Sequence, residues 1–158
     1  MKRKHLLLGL LILVMGGVFP VTANAAGSVN GSALWYCNKS SLTTAVSHAV
    51  STWNALSKVS ITNQGCTWTD LEFQDANQPS ASWTGQYTPY AFTRDYIQLN
   101  LATISSDTNR RKNTATHELG HALGIGHTST TGNVMLTYQT TQTWLGSWDT
   151  AQYSSFYP

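Results

Sequence analysis

Apolar side chains recur along this chain at helical spacing in two long segments. The first begins after Ser40 or Ser41, either of which can act as its N-cap. Its apolar stripe consists of Leu42, Ala45, Val46, Ala49, Val50 and Trp53. His48 lies off this stripe, so we expect it on the surface.

The second helix is predicted from about Thr108 to Leu123, with Asp107 as its N-cap. The residues expected to pack it against a sheet are Ala115, Leu119, Ala122 and Leu123. A short final helix is predicted near Asp149 to Phe156.

Short apolar or alternating segments predict strands at 33–36, 59–62, 71–73 and 96–101. The segment from Ser82 to Ala91 is aromatic and extended but contains Pro89, which sheets tolerate at an edge. The alternation from Tyr96 to Leu101 predicts a more central strand. Strands therefore separate the two long helices, and a compact tail follows.

The amino-terminal segment has the pattern of an export signal. Basic residues at 2–4 precede an apolar run at 6–14, and Ala23-Asn24-Ala25 offers a cleavage site. The alternative is an uncleaved membrane anchor, for which the run is short. We therefore predict a signal peptide at 1–25, one domain at 26–158, and a secreted product without further membrane association.

Three of the nine basic residues lie in that segment, whereas all seven acidic residues follow it. The remaining chain is close to neutral, and its only cluster of basic residues that could contact nucleic acid is Arg110-Arg111-Lys112. That cluster is interpreted as the solvated start of the second helix. We expect a monomer that does not bind nucleic acid.

Two cysteines, Cys37 and Cys66, fit one disulfide in an oxidising compartment. Closing a loop of about thirty residues would stabilise the fold by roughly 3–4 kcal/mol on the chain-entropy model. The alternative is two free buried thiols.

The most informative segment runs from His117 to His127 and reads HELGHALGIGH. His117 and His121 are four residues apart and share one face of a helix. Gly124 and Gly126 allow the chain to turn back and to carry His127 towards them. Three neutral imidazoles leave one zinc position open, and Glu118 is placed to act as the general base on water there. The alternative is a chance run of solvated histidines.

This segment resembles the signature of the metzincin zinc endopeptidases. Met135 follows His127 by eight residues, as in the methionine turn of the matrixin branch, and Thr128 resembles the serine that matrixins place there. The resemblance covers about Thr114 to Tyr138 firmly, and the rest of the chain only in its layout.

The resemblance implies an α+β domain in two parts, with a twisted mixed sheet and two long helices above a cleft and a small lower subdomain carrying the methionine turn. It implies a zinc metalloendopeptidase that acts on protein or peptide substrates. Trp83 to Tyr90 would bind an extended peptide by strand addition. Leu136, Thr137 and Tyr138 would line the pocket for the residue after the cleaved bond.

Several features depart from the matrixin pattern. His48 is the only further histidine after the signal segment, so a second zinc is not expected, and calcium is possible but unsupported. Tyr138 follows Met135 by three residues, whereas some relatives have a tyrosine two residues after it; its interpretation is a pocket wall or a metal-side residue. A catalytically silent, zinc-stabilised binding module remains the alternative function.

Overall fold

The computed structural model describes residues 28–158, so the predicted signal peptide lies outside the described residues. In chain order, the elements are β1 (Ala33–Asn38), α1 (Thr43–Asn54), β2 (Ser60–Asn63), β3 (Leu71–Ala76), β4 (Gly85–Thr88), β5 (Asp95–Asn100), α2 (Thr108–Ala122) and α3 (Ser147–Phe156). The fold is therefore α+β, with a five-stranded mixed sheet and three helices.

The strands form one sheet in the order β2-β1-β3-β5-β4. All neighbouring pairs are parallel except β4 and β5, which are antiparallel. The prediction of a central strand near Tyr96 is confirmed, because β5 pairs on both sides. Strand β4 is an edge strand that ends directly before Pro89, whose missing N–H would interrupt a ladder.

Helices α1 and α2 pack side by side against one face of the sheet. Alternation along each strand directs one set of apolar side chains to them, as with Phe73 in β3 and Ile97 in β5. Trp53 from α1 is fully buried, and its indole N–H donates to the Thr116 carbonyl of α2 at 2.9 Å. The predicted apolar stripes of both helices are thus confirmed as core.

The predicted N-cap of α1 is wrong. Helix α1 begins after Leu42, and no side chain caps it. The Ser40 hydroxyl donates instead to the carboxylate of Asp75 on β3, and the backbone N–H of Ser41 donates to the other oxygen of Asp75 at 3.0 Å. These serines therefore fasten the helix entry to the sheet rather than capping the helix.

His48 also differs from its predicted surface position. It is half-buried, and its Nε2 atom lies 2.7 Å from the carbonyl oxygen of Thr143 in the tail. The tail also contacts the residue directly before β2, because the Tyr153 hydroxyl accepts the Val59 N–H at 2.8 Å. Contacts from α1 and from the residue before β2 thus hold the tail against the rest of the domain.

The predicted disulfide is present between Cys37 on β1 and Cys66 in the loop before β3. It closes a 29-residue separation that contains α1 and β2. Within residues 28–158, none of the helices combines the length and apolar character needed to span a bilayer.

Candidate metal centre

Helix α2 supplies most of the candidate site. Its N-terminus matches the prediction, since the Asp107 carboxylate accepts the Arg110 N–H at 2.8 Å. One turn separates His117 from His121, and their ring centroids lie 4.7 Å apart. The helix therefore presents both imidazoles in one direction, as their spacing predicted.

The chain leaves α2 through Gly124, which has a φ of 84°. This left-handed conformation favours glycine, and it lets the Ile125 N–H donate back to the Gly120 carbonyl at 2.9 Å. Gly126 does not adopt a positive φ, so Gly124 alone supplies the conformational freedom that was assigned to both glycines. The reversal carries His127 back to the helix.

The Nε2 atoms of His117, His121 and His127 form a triangle with each side 3.1 Å long. Two of these rings are oriented by main-chain oxygens. The Nδ1 atom of His117 lies 2.9 Å from the Val134 carbonyl, and the Nδ1 atom of His121 lies 2.8 Å from the Ile125 carbonyl. Each Nδ1 therefore carries the proton, and each Nε2 turns a bare lone pair towards the other rings.

Lone pairs that face one another repel unless a cation lies between them. Nitrogen ligands on a tetrahedral zinc ion, with bonds of about 2.0–2.1 Å, lie roughly 3.3–3.4 Å apart, which is close to the observed spacing. Among residues 28–158, these three side chains form one of two clusters with metal-ligand potential; the other contains the disulfide cysteines. The donor set and its protonation state thus fit a zinc ion.

The electrostatics favour the same protonation state. Burial, followed by repulsion from His121, lowers the pKa of His117 to about 3. Burial also lowers the pKa of His121 to about 4 and depresses the pKa of His127 below its usual range. All three rings are consequently neutral at neutral pH, which is the form that binds a metal.

Glu118 lies between α2 and the edge strand. Its side chain is 7% exposed, and burial raises its pKa to about 8, partly offset by a hydrogen bond from the Tyr87 backbone. A Cβ atom at Gly85 on β4 would come within 2.8 Å of Glu118 Cγ and 2.9 Å of its Oε1. The absence of a side chain at Gly85 therefore gives the carboxyl group its place against β4.

Met135 is fully buried and packs against α2 at Gly120. A Cβ atom at Gly120, the residue before His121, would collide with the Met135 sulfur. The Met135 carbonyl accepts the Thr128 N–H at 2.8 Å, beside His127. Met135 thus contacts the helix and the returning chain that carry the imidazoles.

A buried carboxylate on α3 holds this turn. Asp149 is fully buried, and it accepts the N–H groups of Val134 at 2.7 Å, Gly146 at 2.8 Å and Met135 at 3.2 Å. The peptide carbonyl of Val134 in turn faces His117. Asp149 therefore positions the main chain that orients one of the candidate ligands.

The three residues predicted to line a substrate pocket lie directly after this turn. Leu136 is buried, whereas Thr137 and Tyr138 are exposed, Tyr138 by 59%. The following residue, Gln139, donates to the Thr114 hydroxyl of α2 at 2.7 Å. This contact fastens the segment alongside α2.

The matrixin family model matches residues 67–157. The matched span covers more than half of the chain and includes the three histidines, Glu118, Met135 and Asp149. The chain belongs to the matrixin family. No curated protein sequence matches this matrixin. Matrixins are zinc-dependent metallopeptidases, and the histidine triangle of this member could bind such an ion.

Sequence reasoning missed three residues that shape the site of this matrixin, namely Gly85, Gly120 and Asp149. A glycine inside a strand or helix pattern signals a close approach of other atoms, so Gly85 and Gly120 carried a readable signal. Asp149 carried none, because nothing local shows that a carboxylate at the start of α3 reaches a turn fourteen residues earlier in the chain.

Proposed function

We propose that this matrixin is a secreted zinc endopeptidase in which His117, His121 and His127 hold the metal and Glu118 is the general base. The proposal includes a signal peptide at 1–25 and a catalytic domain at 26–158. The observation that carries it is the triangle of converging Nε2 atoms, two from α2 and one from the chain that returns to it, together with a buried carboxyl group on α2.

His117, His121 and His127 would hold the zinc ion, which would supply a Lewis acid for the peptide carbonyl and for water. The ionised form of Glu118 would take a proton from the attacking water and deliver it to the leaving amine nitrogen, and a cation held by the neighbouring rings would favour that form by lowering the pKa that burial raises. Its burial against Gly85 keeps the carboxyl group away from bulk solvent and fixes its direction. The Val134 and Ile125 carbonyls hold the ligand rings so that their lone pairs converge.

The position of β4 supports binding of the substrate at the sheet edge. The outer side of this strand has no partner strand in residues 28–158, so its main-chain groups there, other than the Tyr87 N–H that contacts Glu118, are able to pair with an extended peptide. Glu118 contacts β4 from α2, which places the base beside such a peptide. The substrate would therefore lie in a cleft between the sheet with its two helices and the lower subdomain.

Leu136, Thr137 and Tyr138 form part of the pocket for the residue that follows the cleaved bond. Leu136 supplies a buried apolar floor, and the exposed ring of Tyr138 supplies a wall. An apolar side chain is the expected preference at that position. Cleavage-site profiling in a peptide library tests this, and a library without apolar enrichment there contradicts it.

Glu118→Gln separates the enzyme from a silent binding module. The substitution keeps the size of the side chain but removes the base, so hydrolysis of a quenched fluorescent peptide should fall by roughly 10²–10⁴-fold. Zinc content, measured by mass spectrometry of the desalted protein, should stay near one ion per chain. A chelator should abolish activity in the unmodified protein, and added zinc should restore it.

Two results would contradict the proposal. Equal hydrolysis by Glu118→Gln and the unmodified protein would remove Glu118 from the chemistry. Full zinc occupancy without any peptidase activity in the unmodified protein would favour the binding module.

A further inference from the structure

The outer face of the sheet, opposite α1 and α2, carries a pocket of about 420 Å³. Its lining comes from β3, β5, the end of β4 and the loop between β4 and β5, and consists of Gln74, Thr88, Tyr90, Thr93, Tyr96 and Gln98. This volume falls within the range of about 300–1,000 Å³ that is usual for small-molecule sites. None of the six lining residues is ionisable near neutral pH, so the pocket suits a neutral, polar ligand.

A row of amide side chains crosses this face. Gln74 on β3 lies opposite Gln98 on β5, and Gln98 lies opposite Gln86 on β4. Within residues 28–158, the glutamine side chains that hydrogen-bond to protein are those of Gln139 and Gln142. The amides of the row therefore keep their donors and acceptors for other molecules, two N–H groups and one oxygen for each glutamine.

Two tyrosine rings form the apolar walls beside this row. The rings of Tyr90 and Tyr96 lie 5.5 Å apart at an angle of 85°, so they meet as an edge-to-face corner. Glu72, which is next to Tyr96 in register, is paired with Arg94 at 2.9 Å and with Lys39 at 3.1 Å. The carboxylate beside Tyr96 on the neighbouring strand is thus already paired with cations.

We propose that this outer-face pocket binds a neutral oligosaccharide. A sugar ring has an apolar C–H face that packs on an aromatic ring, and hydroxyl groups at its rim that both donate and accept hydrogen bonds. The tyrosine corner matches the face, and the amide row with Thr88 and Thr93 matches the rim.

An extended peptide fits this pocket less well. Strands β3 and β5 are paired on both sides, so their main-chain groups are unable to accept an added strand. A phosphate or carboxylate ligand would require a cationic side chain, which the six lining residues do not provide. The sugar is therefore the ligand class that uses both the rings and the amides.

The pocket lies on the opposite face of the sheet from α2, which carries the candidate metal site. A sugar bound there leaves Glu118 accessible to substrate. If the proposed peptidase function holds, the pocket directs cleavage to glycosylated proteins or to proteins embedded in polysaccharide. Sugar binding itself does not depend on peptidase activity.

The test is an NMR titration of the ¹⁵N-labelled protein with four soluble neutral tetrasaccharides. Each tetrasaccharide contains a single type of sugar unit: glucose, xylose, mannose or N-acetylglucosamine. We expect at least one of them to shift the side-chain NH₂ signals of Gln74 and Gln98. Tyr96→Ala should weaken that binding by roughly tenfold or more, and Gln98→Ala by several-fold. Two matched controls outside the pocket, Trp144→Ala and Gln64→Ala, should leave it unchanged.

Each of three outcomes overturns the proposal. The first is no shift with any of the four sugars, and the second is sugar binding that survives both Tyr96→Ala and Gln98→Ala. The third is an unglycosylated peptide that shifts the same amide signals at a lower concentration than any of the sugars. Gln98 is half-buried and its side chain makes no hydrogen bond to the described residues, so its variant reports on binding even if Tyr96→Ala fails to fold. Hydrolysis of a short unglycosylated peptide should be the same in both variants as in the unmodified protein, which keeps this test separate from that of the peptidase function.

Discussion

Asp149→Asn tests whether α3 holds the methionine turn and, through it, the histidine cluster. Asp149 is fully buried, and its two oxygens accept three main-chain N–H groups, those of Val134, Gly146 and Met135. Asparagine keeps one oxygen of the same shape. If that oxygen faces Val134 and Gly146, the new NH₂ group faces the Met135 N–H, donor against donor.

The expected cost follows from these contacts. The variant loses one hydrogen bond to a charged group and leaves a buried N–H unsatisfied, which together cost about 2–4 kcal/mol. For a domain of this size, such a loss corresponds to a decrease in the melting temperature of roughly 7–15 °C. Zinc affinity should also fall by roughly tenfold, because the Val134 peptide orients His117.

Asp107→Asn is the matched control. Asp107 is exposed and caps α2 with one hydrogen bond, and asparagine is an equally good N-cap. Its melting temperature should fall by less than about 3 °C. Both variants would be followed by circular dichroism on heating and by competition for zinc with a fluorescent chelator. Equal melting temperatures and equal zinc affinities for the two variants would refute the reasoning.

Three further predictions follow from contacts elsewhere in the domain. Gly85→Ala places a Cβ atom 2.6 Å from Thr114 Cγ2 and 2.8 Å from Glu118 Cγ, which displaces the Glu118 side chain. The kcat should therefore fall by roughly tenfold or more while the zinc content stays unchanged. A kcat equal to that of the neighbouring control Gln86→Ala would argue against this. Replacing Cys37 and Cys66 together by alanine should lower the free energy of unfolding by roughly 3–4 kcal/mol in urea titrations, and an unchanged midpoint would contradict the entropic reasoning. Burial tends to raise the pKa of Asp75, but hydrogen bonds from Ser40 and Ser41 outweigh it and hold the pKa below its ordinary value of 3.8. Because this pKa is depressed in the folded state, the stabilisation is present above pH 3.8 and is lost as the pH falls through the lowered value. Thermal melts should therefore show a smaller loss of stability in acid for Asp75→Asn than for the unmodified protein, and identical acid dependence would count against the assignment.

Local patterns predicted the parts of this fold that depend on neighbouring residues. The spacing of His117 and His121 predicted their shared direction, and Asp107 was identified as a cap because its partner lies three residues away. The alternation of apolar and polar residues from Tyr96 to Leu101 predicted an interior strand, because this pattern too lies within neighbouring residues. Helix and strand periodicity is a local property, so it is readable without the tertiary structure.

Features that depend on distant contacts were not predictable in this way. Ser40 was interpreted as a cap because its sequence context fits one, but Asp75, thirty-five residues later, takes its hydroxyl. His48 was interpreted as exposed because it lies off the apolar stripe, yet the tail covers it at Thr143. In both cases a partner from another element outweighed the local preference.

The two carbonyl groups that steer the histidine rings have a consequence for how this site tolerates genetic change. Both belong to the main chain, at Val134 and Ile125, so replacing a side chain at either position does not delete the acceptor. In metal sites where a carboxylate side chain orients a ligand histidine, a single substitution of that carboxylate residue removes the acceptor. In this protein, apolar exchanges at both positions should be tolerated in a mutational scan. Proline at 126 should not be, because it would displace the preceding carbonyl from its ring.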